Sequence, residues 1–115
     1  MKKSFLSLFI FCAFLIHAQE KTKQVLSVSI PVKGNCESCE KRIENAADIK
    51  GVKSAEWDAA AQTLAVVYRA DKTTREKIVE AILNCGHDAD GQMAPESVYN
   101  KLPACCKFRT QKCDK

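Results

Sequence analysis

Between Val25 and Gly86 the spacing of apolar residues switches twice from two to about 3.6, which restricts the chain to folds that pack helices on a sheet. From Val25 to Val32, the side chains of Leu26, Val28, Ile30 and Val32 share one face while Val25, Ser27, Ser29 and Pro31 share the other, the pattern of a half-buried strand. Gly34-Asn35 makes a loop. From Cys36 to Ala47 the apolar positions Cys39, Ile43, Ala46 and Ala47 recur at helical spacing. Gly51 restarts the chain into Val52 to Asp58, where Ala55 and Trp57 share a face, and Thr63 to Tyr68 is expected to complete a hairpin with it.

A second helix is expected after Thr73-Thr74-Arg75-Glu76, whose spacing is that of a capping box. Ile78, Val79, Ile82 and Leu83 form its apolar stripe, and Cys85-Gly86 ends it, glycine supplying the left-handed conformation. His87 to Asp90 has room for a short last strand, and Ala94 to Leu102 for a brief helix with Pro95 near its first turn and Pro103 after its end. The order strand, helix, strand, strand, helix, strand is the α+β, ferredoxin-like βαββαβ arrangement, one antiparallel sheet carrying two helices on one face. Residues 25–90 form that domain, and residues 91–115 a cysteine-rich C-terminal extension.

Ahead of the domain, Met1 to Ala18 reads as a secretory signal peptide: Lys2 and Lys3, the apolar run Phe5 to Ile16, then His17-Ala18. That run is shorter than the roughly 20 residues a membrane span needs, so no stable membrane insertion is expected after cleavage. The expected location is the periplasm or another exported compartment. Cleavage after Ala18 removes Lys2 and Lys3 and lowers the net charge from +4 to +2. This balance lacks the concentrated basic stripe of a nucleic-acid binder. No nucleophile triad, paired carboxylates or glycine-rich phosphate loop is present, and no enzyme is expected.

Cysteine carries the chemistry. Cys12 lies in the signal, and Cys36, Cys39, Cys85, Cys105, Cys106 and Cys113 remain, in a compartment where disulfides persist. Cys36-Glu37-Ser38-Cys39 places two thiols three positions apart where a loop runs into a helix, and helix-start amides favour their thiolate forms. Two thiolates with few other ligands suit a soft, low-coordinate ion such as Cu(I), or Hg(II), and are too few for a closed structural zinc site. By itself a CxxC pair also fits thiol–disulfide exchange or a structural disulfide. Glu37 opposes a thiolate rather than activating it, which disfavours the exchange reading.

Taken together, the strand Val28-Ser29-Ile30-Pro31-Val32, the loop Gly34-Asn35-Cys36-Glu37-Ser38-Cys39, the restart Gly51-Val52-Lys53-Ser54-Ala55 and Gly86-His87-Asp88-Ala89 resemble the heavy-metal-associated domain family. That family includes copper chaperones, the N-terminal domains of copper-exporting ATPases and exported mercuric-ion-binding proteins. The resemblance implies metal binding by Cys36 and Cys39. The expected role is to carry or sequester a soft ion, in metal transport or detoxification, with Cu(I) first and Hg(II) or Zn(II) as alternatives. Expected partners are the metal ion and a metal-transporting membrane protein or another metallochaperone. The family's usual Met before the first cysteine is Asn35 here, and the position after the glycine is His87, an auxiliary ligand candidate.

Outside the resemblance, Cys105-Cys106 and Cys113 allow two readings. Adjacent cysteines seldom bridge each other, so Cys105 and Cys106 either form disulfides elsewhere, for example with Cys85 or Cys113, or the tail folds back and both act as auxiliary ligands beside Cys36 and Cys39. Trp57 and Tyr68 are expected in the core. Lys41 and Arg42 next to the loop are either a solvated helix face or a docking patch for an acidic partner.

Overall fold

The computed structural model describes residues 24–110; the signal-like segment and Cys113 lie outside the described residues. β1 (Val25–Pro31), α1 (Glu37–Ala47), β2 (Val52–Asp58), β3 (Thr63–Arg69) and α2 (Arg75–Asn84) follow one another, and a one-turn α3 (Glu96–Tyr99) and a 3-10 turn (Ala104–Cys106) complete the described chain. The sheet order is β1-β3-β2, antiparallel throughout, with Ile30 opposite Leu64 and Trp57 opposite Leu64 on the other side. Alternation holds in the central strand, where Leu64, Val66 and Tyr68 are buried. Against this face α1 contributes Cys39, Ile43 and Ala47, and α2 contributes Ile78, Val79 and Ile82. The result is the ferredoxin-like α+β fold.

The expected last strand contracts to one bridge, Val32 with Ala89, flanked by the Lys33 amide donating to the Asp88 carbonyl and the Asp90 amide donating to the Pro31 carbonyl. Asp90 and Gly91 explain the contraction. Both have positive φ, 53° and 75°, and Ala89 and Gln92 exchange backbone hydrogen bonds across them. This is the two-residue turn that Asp-Gly favours, and it reverses the chain before a strand can extend.

Two further expectations change at helix ends. The N-cap of α2 is Thr74, whose hydroxyl accepts the Lys77 amide, one residue later than the capping-box reading placed it. Position N3 is then Lys77, which cannot return the bond, and Thr73 is buried instead beside Gly51. The helix expected over Ala94 to Leu102 is regular only over Glu96–Tyr99, because Pro95 caps it and the chain must turn at Leu102 and Pro103 to travel back.

The end of α2 ties the domain to this returning tail. The His87 amide donates to Ile82 and the Gly86 amide to Leu83, a Schellman closure with Gly86 at φ 105°. A Cβ at Gly86 would also lie 3.0 Å from Leu102. Gly86→Ala should therefore cost about 2 kcal/mol, from left-handed strain and overpacking together. Urea denaturation of the reduced protein checks this, and a loss under about 0.5 kcal/mol, the usual scale of a surface substitution, would show that neither the left-handed backbone nor the Leu102 contact resists a Cβ here.

Candidate metal centre

The loop between β1 and α1 rests on a floor made by the hairpin. The Trp57 indole N–H donates to the Val32 carbonyl at 3.0 Å, and a Cβ at Gly34 would fall 3.0 Å from the Trp57 ring and 3.1 Å from the Cys39 side chain. Only glycine lets the backbone lie this close to the ring. From the hairpin turn, Gln62 accepts the Gly34 amide through its side chain and the Val32 amide through its carbonyl, both at 3.0 Å. Gln62 holds φ 53°, and the turn is braced by the Asp58 carboxylate accepting the Ala60 and Ala61 amides. Trp57 is thus core packing, as expected, and also the support of the loop.

On that support Cys36 is the N-cap of α1, half-buried, with a thiol where a hydroxyl usually caps, and its side chain makes no capping hydrogen bond. Cys39, one turn on, is fully buried. Their Sγ atoms are 3.8 Å apart, far beyond the roughly 2.05 Å of a disulfide. Both sulfurs therefore sit at the start of α1, close enough to one another to bind one soft ion together.

The tail does fold back. The Cys106 Sγ joins the Cys36 and Cys39 Sγ atoms, all within 4.8 Å of one another, and among the described residues this trio forms a group able to hold a metal ion. Cys106 is fully buried and Cys105 exposed. The Cys105 sulfur lies 4.0 Å from that of Cys106 but is not one of the three that come together. Cys105 contributes its carbonyl instead, accepting from the Asn35 side-chain amide at 3.4 Å and facing the Cys36 thiol at 3.6 Å. Asn35, at the family's usual Met position, is thereby used to fasten the tail. Among the described residues Cys39, Cys85 and Cys106 are free thiols, so Cys106 is not bridged to Cys85.

A clamp holds the tail down. Asp88 receives the Arg109 guanidinium on both oxygens, at 2.6 and 3.2 Å, and also the Ala94 amide at 2.7 Å. The Arg109 guanidinium also donates to the Ala94 carbonyl and lies 4.0 Å above the Tyr99 ring. Phe108 stacks on His87 with centroids 5.3 Å apart and meets Tyr99 edge-on. Burial pushes the Asp88 carboxyl up, but the Arg109 and Ala94 hydrogen bonds outweigh it and hold it below its ordinary value. Burial raises the Cys106 thiol strongly, with the adjacent Cys39 and Cys105 thiols adding to the effect, and it raises the Cys85 thiol too.

His87, the auxiliary ligand candidate, stands apart from the cysteine group. Its ring is fully buried, with Nδ1 2.8 Å from the Lys33 carbonyl and Nε2 enclosed without a hydrogen-bond partner. It is a packing platform for Phe108. Burial lowers its pKa and outweighs the Lys33 carbonyl, which raises it, while the Arg42 charge lowers it and Asp88 raises it to smaller extents. Lys41 is exposed and pairs weakly with Glu37 at 4.0 Å, while the Arg42 side chain turns inward and its Nε is buried. The signals for the tail clamp, Asp88 and Arg109, were visible as residue types, but no spacing rule joins residues 21 positions apart.

The heavy-metal-associated domain family matches residues 32–88. Among solved structures, the CopZ metallochaperone is 27% identical with a TM-score of 0.54, the match covering 56% of this chain and 98% of that one. A copper binding domain from a P-type ATPase is 26% identical with a TM-score of 0.53, covering 55% and 88%. Oxidized MerP from Ralstonia metallidurans CH34 is 20% identical with a TM-score of 0.54, covering 57% and 94%, a likeness of fold alone. A comparison with curated protein sequences gave no significant match.

Because the folded state favours neutral His87, the unfolded chain takes up a proton first as pH falls below about 6.5. Stability of the reduced apo protein should therefore fall from pH 7.5 to 5.5 and decline again when the Asp88 carboxylate is protonated in more acidic solution. His87→Gln should lower stability throughout and flatten the slope between pH 7.5 and 5.5. Urea midpoints at the two pH values provide the check; an unchanged slope in His87→Gln would assign the effect to another group.

Proposed function

Since the chain belongs to the heavy-metal-associated domain family over residues 32–88, we propose that it is an exported protein that carries or sequesters a soft metal ion, Cu(I) foremost, through Cys36 and Cys39. The carrying observation is the pair of Sγ atoms 3.8 Å apart at the start of α1, seated on Trp57. Thiolate softness and low coordination number match Cu(I), with Hg(II) next and Zn(II) third because it demands a fuller ligand set. The likeness to a copper binding domain of a P-type ATPase supports placing Cu(I) first. Export rests on Met1 to Ala18, and among the described residues no helix is long and apolar enough to cross a membrane.

Mechanistically, the half-buried Cys36 meets the incoming ion first and the buried Cys39 completes the pair. Each thiol releases its proton to solvent as its sulfur binds. An incoming thiolate from a metal-transporting membrane protein or another metallochaperone can add to the ion before a resident sulfur leaves, which makes exchange possible without a free-ion stage.

Cys36→Ser should lower Cu(I) affinity at least about a hundredfold, since even altered outer-shell partners cost 10–100-fold. Competition of the reduced protein against a Cu(I) chelator measures this, with Cys39→Ala as the companion variant. Parent-like affinity in both variants, together with efficient reduction of an unrelated disulfide substrate, would replace metal binding by thiol–disulfide exchange. Recovery of the mature chain beginning at Gln19 from an exported fraction tests the location.

A further inference from the structure

We propose that Cys106 is a third protein ligand, so that the returning tail encloses the ion in a site of three sulfurs and makes the protein a retaining carrier rather than an open relay. This rests on the reading that Cys36 and Cys39 hold the ion.

Geometry is the first support. With a metal–thiolate bond of about 2.3 Å, a linear two-sulfur ion sets its sulfurs about 4.6 Å apart, whereas a trigonal three-sulfur ion sets them about 4.0 Å apart. Cys36 and Cys39 stand at 3.8 Å, on the trigonal side, and Cys106 keeps within 4.8 Å of both. The pair stands closer together than a linear two-sulfur ion requires, and a third sulfur lies within reach of both.

Preorganisation is the second support. The tail is pinned on both sides of Cys106, by Leu102 against Gly86 before it and by Phe108 and Arg109 against His87 and Asp88 after it. Asn35 fastens the tail directly over the loop through the Cys105 carbonyl. A sulfur held in place before the ion arrives loses little conformational freedom on binding, which raises affinity and slows departure. A partner's thiolate must then displace the tail as well as one loop cysteine.

A buried cysteine can also be a small apolar filler, and the test separates the two roles. The reduced protein is loaded with one equivalent of Cu(I) in thiol-free buffer, and X-ray absorption counts the sulfurs on the ion. Three are expected for the parent and for Cys105→Ala, and two for Cys106→Ala and Cys106→Val. Cys106→Val fills the space without offering a ligand, so a filler role predicts parent-like metal behaviour there. Transfer of Cu(I) to a competing dithiol should be at least about tenfold faster in both Cys106 variants, and faster than parent in Arg109→Gln, whose tail is unclamped while every cysteine remains. Two sulfurs in the parent, or three in Cys106→Ala, would overturn the proposal and leave the Cys36–Cys39 reading standing. Parent-like Cu(I) affinity in Cys36→Ser would instead overturn that underlying reading.

Discussion

The Asp88 carboxylate accepts the Ala94 amide and both arms of the Arg109 guanidinium, and the path of the chain beyond residue 90 depends on this acceptor. The first bond shapes the turn out of the domain, and the other two bring back residues that have travelled out and returned. Both partners are largely shielded from water, so the pair is charge-assisted and bidentate in a setting where such bonds are strong. Around it, Phe108 lies on His87 and Tyr99 lies under Arg109, which converts one polar contact into a packed seam. Cys106, three residues before Arg109, is placed over the loop as a consequence.

The loop's own position is set from the opposite side by apolar contact. Trp57 presents its ring to Gly34 and its N–H to Val32, so a side chain of the hairpin determines how close the loop backbone can approach the sheet. Gln62 repeats the linkage from the turn. The thiols are therefore held between an aromatic floor and a clamped tail at the start of α1. Burial pushes the Cys106 thiol well above its ordinary range, and the neighbouring Cys39 and Cys105 thiols add to the effect.

Much of this architecture is legible in residue order. The alternation in Val25 to Val32, the stripe of Ile78, Val79 and Ile82, and the Gly86 stop are local patterns, and the structure follows each of them. Local reading misses where two local rules compete. Thr73 and Thr74 both offer a hydroxyl, and burial of Thr73 beside Gly51 leaves the cap to Thr74. Asp90-Gly91 is a hairpin-turn signal sitting inside an expected strand, and the turn prevails because both residues tolerate positive φ. The CxxC pair was legible because an N-cap residue and the third residue of the helix that follows it lie at the same end of the first turn.

Sequence alone determined the periodic elements, the ferredoxin-like order and the pairing of Cys36 with Cys39, since each arises from contacts within a few residues. Only the tertiary structure decided that His87 is a buried platform, that Cys106 rather than Cys105 turns its sulfur inward, and that the tail returns over the loop. Those outcomes depend on Arg109 reaching Asp88, Asn35 reaching Cys105 and Leu102 reaching Gly86. Such contacts join distant segments through shape and burial, and no spacing along the chain encodes them.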